Sequence, residues 1–249
     1  MTPYSYDLAP ETARPLGLIV LQSDETIEGD FRIMLHEDTP LQISRIASAL
    51  EVSSDSLQQM EGGLTAAASL FPRPSQFASI GYGCTSASAQ IGSAKIAGYI
   101  RNGTNAEHVT DPLSALVAAC SSLGLKRIAL LSPYVAQVSD RLRDALKDAD
   151  IATPSLGSFN EAREENVVRI AGPSIYAAAC DLAAQGAVDG IFLSCTNLRT
   201  LAIIPDIEAA TGLPCLSSNQ VLAWHMTTTA ETTASIPGQL GRKIATSSF

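Results

Sequence analysis

Leu16–Leu21 (LGLIVL) contains no polar side chain and stops abruptly at Gln22-Ser23-Asp24-Glu25-Thr26. A continuous apolar run of that length reads as a strand buried on both faces, which is the signature of a parallel sheet covered by helices. The same punctuation recurs along the chain. Residues 77–82 lead into Gly83-Cys84-Thr85-Ser86, and residues 127–131 lead into Ser132-Pro133-Tyr134. Gly190–Leu193 leads into Ser194-Cys195-Thr196-Asn197, and residues 214–216 lead into Ser217-Ser218-Asn219-Gln220. Residues 43–47 read as a further strand, and 151–159 hold another. Between them lie helical patterns over 56–71, 87–100, 112–123, the stretch up to 148, and 173–185 with Gly186 as its stop. A helix carrying Ile207 and Ala210 ends at Gly212, and a closing helix carries Trp224 and His225. Thr110-Asp111-Pro112 is a helix start, a capping side chain followed by proline in the first turn. Residues 161–167 are charged and read as loop or weak helix. Residues 231–249, rich in Thr and Ser with a Pro-Gly break, read as a loose tail. Strands alternating with helices predict an α/β fold with mostly parallel sheets. In open sheets of that kind ligands bind beyond the carboxyl ends of the strands.

Two strand exits match. Ile80-Gly81-Tyr82-Gly83-Cys84-Thr85 and Ile191-Phe192-Leu193-Ser194-Cys195-Thr196 both end a strand at Cys-Thr, 111 residues apart. Each half also opens with an apolar strand and a polar loop, ending at Asp24 and at Tyr134. This echo predicts two pseudo-symmetric lobes, each a mostly parallel sheet flanked by helices, with a site in the cleft between them. Residues 1–111 plus 219–249 would form the first lobe, and 112–218 the second. Cys84 and Cys195 would then face each other across the cleft. Each opens a strand-to-helix loop, where the helix N-terminus favours the thiolate and free N–H groups cradle a carboxylate. Cys120 and Cys180, inside alanine-rich helices, and Cys215, in a short strand, read as inert core residues.

Other chemistries find less support. The formal charge of −9 disfavours nucleic acid and anionic membranes as partners. No apolar stretch approaches a bilayer span and no secretory leader is evident, so the chain reads as cytoplasmic. With five cysteines, no C-x-x-C pair and scattered histidines (His36, His108, His225), neither a disulfide framework nor a metal site is expected. Gly81-Tyr82-Gly83-Cys84-Thr85-Ser86 is close to a dinucleotide fingerprint, but it lacks the third glycine and the acidic residue farther on. The four lysines, Lys95, Lys126, Lys147 and Lys243, offer no Schiff-base candidate.

Cys84-Thr85-Ser86-Ala87-Ser88 and Leu193-Ser194-Cys195-Thr196-Asn197-Leu198 resemble the two active-site loops of the aspartate/glutamate racemase superfamily. Within it the chain is most similar to the branch of maleate cis–trans isomerase and arylmalonate decarboxylase, and to racemase-like proteins of ectoine utilisation. Ser132-Pro133-Tyr134, Asp140-Arg141-Leu142, Ile204-Pro205-Asp206-Ile207-Glu208 and Gly212-Leu213-Pro214 extend the resemblance over nearly the whole chain. It implies no metal or organic cofactor. It implies a racemase or cis–trans isomerase of a small carboxylate, maleate-like, amino-acid-like or an ectoine-pathway intermediate, with Cys84 and Cys195 catalytic. Gln22, Thr85, Ser86, Tyr134 and Thr196, with the N–H groups of Cys195 and Thr196, would bind the carboxylate. Gln22-Ser23-Asp24 stands where the isomerase carries an asparagine, which counts against maleate itself. The decarboxylase lacks the first cysteine, so the presence of Cys84 counts against simple one-cysteine decarboxylation, the alternative activity. A carboxylate-binding protein without turnover is the non-enzymatic alternative. The superfamily often pairs subunits, so a homo-oligomer is an open expectation.

Overall fold

A computed structural model describes residues 1, 3–9 and 13–246, with residues 243–246 as backbone alone. Among them, eight strands form two four-stranded parallel sheets. The first holds β1 (Leu16–Leu21), β2 (Leu41–Ile46), β3 (Gln76–Gly83) and β4 (Asn105–Thr110), in the order β2-β1-β3-β4. The second holds β5 (Arg127–Ser132), β6 (Ala152–Ser158), β7 (Gly190–Leu193) and β8 (Cys215–Ser217), in the order β6-β5-β7-β8. The two orders are the same permutation, and every pairing is parallel. The echo read in the sequence is therefore a repeated folding unit, with Cys84 after β3 and Cys195 after β7. All six residues of β1 and all four of β7 are buried, because helices cover both faces of each sheet.

The helices are α1 (Ile27–Met34), α2 (Ser54–Gln59), α3 (Leu64–Ala68), α4 (Thr85–Ile91), α5 (Ser93–Gly103) and α6 (Pro112–Leu123) in the first half. In the second half they are α7 (Ala136–Asp148), α8 (Glu164–Val167), α9 (Gly172–Ala184), α10 (Ile204–Thr211), α11 (Ser218–Thr229) and α12 (Gly238–Thr246). Asp111 caps α6, accepting from the N–H groups of Leu113 and Ser114, and Gly124 closes it in the left-handed conformation. None of the described helices is long and apolar enough to cross a membrane.

Several elements depart from the sequence reading. The pattern over 56–71 is not one helix: a 3₁₀ turn at Met60–Gly63 separates α2 from α3, where Gly62 and Gly63 weaken the helix. The pattern over 87–100 breaks at Gly92, whose φ of 96° only glycine adopts readily. Helix α1 was not foreseen. Asp24 starts it by accepting from the N–H groups of Thr26 and Ile27, both at 2.8 Å, and Ile27, Phe31 and Met34 bury its inner face. Strand β4 was also missed, since the sequence there signals the helix after it.

The expected loose tail is ordered as far as the described residues go; residues 247–249 lie outside them. Helix α12 is held by the buried Glu208 of α10. Its carboxylate accepts from Gln239 N–H at the start of α12 (2.9 Å) and from Cys215 N–H of β8 (3.1 Å), and it pairs with Arg242 at 3.1 Å. Helix α11 lies against β3 and β4, whereas α12 lies against α10 and β8. Of the segment 219–249, the described residues are thus shared between the two sheets rather than confined to the first lobe. Glu208→Ala leaves the buried Cys215 N–H and the half-buried Gln239 N–H without a partner and should cost about 3 kcal/mol. The check is the denaturant midpoint by circular dichroism, together with faster proteolysis within 231–246. An unchanged midpoint and cleavage rate would remove Glu208 as the anchor.

Candidate active site

The exits of β1, β3, β5 and β7 converge, and α8 closes over them. Together they line one small cavity, walled by Asp24, Cys84, Ser86, Tyr134, Glu164 and Cys195 among others. A wider groove bounded by Arg45, Gln59 and Leu70 lies outside it and holds no cysteine. The Arg45 guanidinium there is already engaged by Glu28 and by the carbonyls of Leu21, Gln22 and Asp24.

The two cysteines are set differently. Cys84 is the N-cap of α4 in extended backbone, and its Sγ accepts from Ala87 N–H at 3.4 Å. Cys195 has φ 108°, a conformation that costs a non-glycine residue about 1–3 kcal/mol. Its Sγ accepts from Asn197 N–H at 3.3 Å and lies 3.0 Å from Tyr134 Oη. Hydrogen bonds sew the two loops together. The Ser218 hydroxyl, at the start of α11, receives Thr85 Oγ1 at 2.7 Å and Cys195 N–H at 3.0 Å. Thr196 Oγ1 donates to Gly83 O at 3.2 Å.

Tyr134 Oη donates its single proton to Glu164 Oε1 at 2.6 Å. In the contact with Cys195 the thiol must therefore be the donor, giving a chain from S–H through the phenol to the carboxylate. Asn197 Nδ2 donates to the other oxygen, Glu164 Oε2, at 2.9 Å, and Asn197 Oδ1 accepts from Glu25 N–H at 2.9 Å. Glu164, 5% exposed, thus receives two donors and is arranged as an anion.

Burial outweighs the helix end in setting the thiols. It pushes Cys84 up to about 12; the Ala87 N–H opposes it, and the acidic Glu164 and Asp24 add to it. Cys195 is held well above its ordinary value, by burial first and then by Glu164. Burial likewise raises Glu164 against the pull of Tyr134 and Asn197, and raises Asp24 against the capping N–H groups of Ile27 and Thr26. The expectation of a thiolate near neutral pH is corrected accordingly: in these surroundings both thiols are held toward the protonated form.

Of the residues read from the sequence, Cys84, Thr85, Ser86, Tyr134, Cys195 and Thr196 come together on this cavity. Gln22 does not. The chain turns after β1 through Asp24 N–H to Leu21 O (3.1 Å), which leaves Gln22 exposed and brings Asp24 to the wall. Tyr134 and the Cys195 N–H, expected as carboxylate donors, are already engaged by Glu164 and Ser218. The N–H groups of Thr85 and Thr196 and the Ser86 hydroxyl have no hydrogen-bond partner among the described residues. Asp24, Glu164, Asn197 and Ser218 were not singled out. The strand-exit rule finds Asp24, Asn197 and Ser218, but no pattern separates Glu164 from Glu161 and Glu165. Cys120, Cys180 and Cys215 do not line the cavity.

A family model for arylmalonate decarboxylase matches residues 94–242. The chain belongs to the arylmalonate decarboxylase family. It is 30% identical over 117 residues to the arylmalonate decarboxylase of Bordetella bronchiseptica, covering 46% of this chain and 48% of that protein. The chain thus aligns with about half the length of that curated relative. Solved structures share the fold over more of both chains. A liganded double mutant of arylmalonate decarboxylase superposes with a TM-score of 0.82 at 23% identity, covering 92% of this chain and 98% of that one. The maleate isomerase of Pseudomonas putida S16 gives 0.79 at 20%, with 92% and 98% covered. A cysteine-to-serine mutant of the Nocardia farcinica maleate cis–trans isomerase, with a covalently bound succinylcysteine intermediate, gives 0.79 at 21%, with 93% and 99% covered. The match to the arylmalonate decarboxylase family contains Tyr134, Glu164 and Cys195 and begins after Cys84.

The raised thiols carry a pH dependence. The thiolate fraction of Cys84 is small at neutral pH and grows as pH approaches about 12. Iodoacetamide should therefore modify Cys84 and Cys195 at pH 7.5 at least ten times more slowly than free cysteine, as peptide mass mapping of time points would read. Glu164→Gln removes a charge that raises both thiols and should speed their modification. Slower or equal modification in that variant would contradict the electrostatic assignment.

Proposed function

We propose that this chain is a cofactor-independent isomerase of a small carboxylate, moving a proton between opposite faces of one carbon with Cys84 and Cys195. One observation carries the reading: cysteines from the two matching strand exits line one small cavity that also holds unengaged donors for a carboxylate. The substrate carboxylate accepts from the N–H groups of Thr85 and Thr196 and from Ser86. The Cys195 proton passes to the Tyr134 oxygen as the phenol proton passes to Glu164, leaving a thiolate and a neutral carboxyl. The thiolate takes the Cα proton, and the C–H electron pair moves into the carboxylate as an enediolate. The same three donors stabilise that developing charge, so they bind the transition state better than the ground state. Cys84 then delivers its proton to the opposite face. The proton stored on Glu164 returns to Cys84 to close the cycle.

A D₂O assay followed by proton NMR tests this. Exchange of an α proton should require both thiols, with Cys84→Ala and Cys195→Ala each losing at least 10³-fold in kcat. Tyr134→Phe keeps the cavity but cuts the relay, and kcat should fall about 10²-fold. If no small carboxylate exchanges or isomerises in a cysteine-dependent way, the reading fails.

A second reading follows from the family match, which includes Cys195 and begins after Cys84. In it a malonate-like acid loses carbon dioxide as the C–C bond breaks, and Cys195 protonates the resulting enediolate. Full turnover by Cys84→Ala with carbon dioxide release would select this reading over the first.

A further inference from the structure

Asp24 presents an unusual atom to the cavity. The side chain is 3% exposed, and its Oδ1 is held by the capping N–H groups of Thr26 and Ile27 at 2.8 Å. Its Oδ2 is buried without a hydrogen-bond partner among the described residues, and the neighbouring Thr196 hydroxyl is engaged by Gly83 O. Burial raises this carboxyl, while two N–H donors and the positive end of α1 favour its ionised form. An ionised oxygen left bare inside a protein is costly unless something donates to it. Glu164 stands on the same wall and is likewise arranged as an anion. No Lys or Arg is among the lining residues. Two acidic groups and no basic one make a poor receptor for a dianion and a good one for a carboxylate that brings its own cation.

A second small chamber opens from the same walls, sharing Cys84, Ser86, Tyr134 and Glu164 with the first. Its own lining joins Ala49, Val52, Leu57 and Met60, from the segment after β2, with the neutral Ser48 and Ser56. Glu51 lies at its exposed edge, and no Lys or Arg lines it either. A substituent entering this chamber meets no counter-charge for a second carboxylate.

We infer that the substrate is a zwitterionic α-amino acid with a neutral side chain: its ammonium is received by Asp24 Oδ2 beside Glu164, and its side chain lies in the Val52–Leu57–Met60 chamber. Resting on the isomerase reading, this fixes the substrate class. The carboxylate takes the Thr85, Thr196 and Ser86 donors, so the three substituents of the carbon occupy three chemically distinct walls. An incoming ammonium also offsets the two acidic groups that add to burial in raising the thiols, whereas a dicarboxylate would add to them.

The experiment has two arms. Purified full-length protein is assayed for α-proton exchange in D₂O with L-methionine, L-glutamine, L-norvaline, L-aspartate, L-glutamate, maleate and 2-hydroxyhexanoate. In parallel, the Cys84→Ser/Cys195→Ser variant is titrated calorimetrically with the same compounds. The expected result is that neutral amino acids exceed aspartate, glutamate and maleate at least tenfold in kcat/KM and in affinity. Asp24→Asn should weaken neutral amino acids at least tenfold while leaving 2-hydroxyhexanoate unchanged or tighter. Should Asp24→Asn unfold through loss of its cap, Glu164→Gln and Met60→Glu supply the same contrasts for charge and for the chamber. Tighter binding of maleate or aspartate than of every neutral amino acid overturns the inference, as does preference for the hydroxy acid. Selective binding of neutral amino acids without exchange would overturn the isomerase reading and leave the substrate class standing. Absence of binding by every amino acid overturns the substrate class.

Discussion

The Ser218 hydroxyl joins the two halves of the site. It receives a hydroxyl from the Cys84 loop and an N–H from the Cys195 loop. No strand is shared between the sheets, so the space between the cysteines is set by such crossings together with the packing of α4 on α7 and of α11 on both sheets. Thr196 reaches back to the end of β3, and Asn197 receives the N–H of Glu25 and the hydroxyl of Thr26 at the start of α1. Each crossing links a strand exit of one half to one of the other. Removing any one would loosen the distance that two-sided chemistry needs, which is far less forgiving than the stability of either sheet.

Within that frame, burial and charge act in the same direction. Closing the cavity removes water from two thiols, a phenol and two carboxyls, and every one of them is raised. The helix end at Cys84 opposes this and loses, because a partial charge at one terminus is weak beside loss of hydration and two nearby acids. The two thiols therefore keep their protons. Ionising them calls for an internal acceptor such as Glu164 or for positive charge carried in by the ligand.

The central strands β1, β3, β5 and β7 were legible because burial on both faces leaves an apolar string, as in LGLIVL, and because each string ends in polar residues; the edge strand β4 (NAEHVT), half-exposed and polar, was not. The two Cys-Thr exits were legible as a pair because the fold repeats its permutation. Helix α1 was not, since its start depends on the Asp24 side chain folding back onto its own backbone. Helix α12 was not, since what orders it is Glu208, some thirty positions earlier. Glu164 sits among other acidic residues in a charged stretch, and its burial comes with the pairing of residues 162–164 to residues 50–52 of the other half. Gln22 was misplaced by one turn: composition marked the loop correctly, and the direction of its side chains was settled by a backbone hydrogen bond.

The repeat copies strands but not side chains, and that asymmetry has a kinetic meaning. Tyr134 and Glu164 follow β5 and β6; the corresponding places after β1 and β2 hold Asp24 and the exposed Glu51. On the proposed reading, one pass of the reaction leaves a proton on Glu164 and an empty place on Cys84. The free protein would then exist in two protonation isomers, one ready for each mirror form of the substrate. At high substrate concentration the return of one isomer to the other, rather than the chemistry at carbon, would govern the flux.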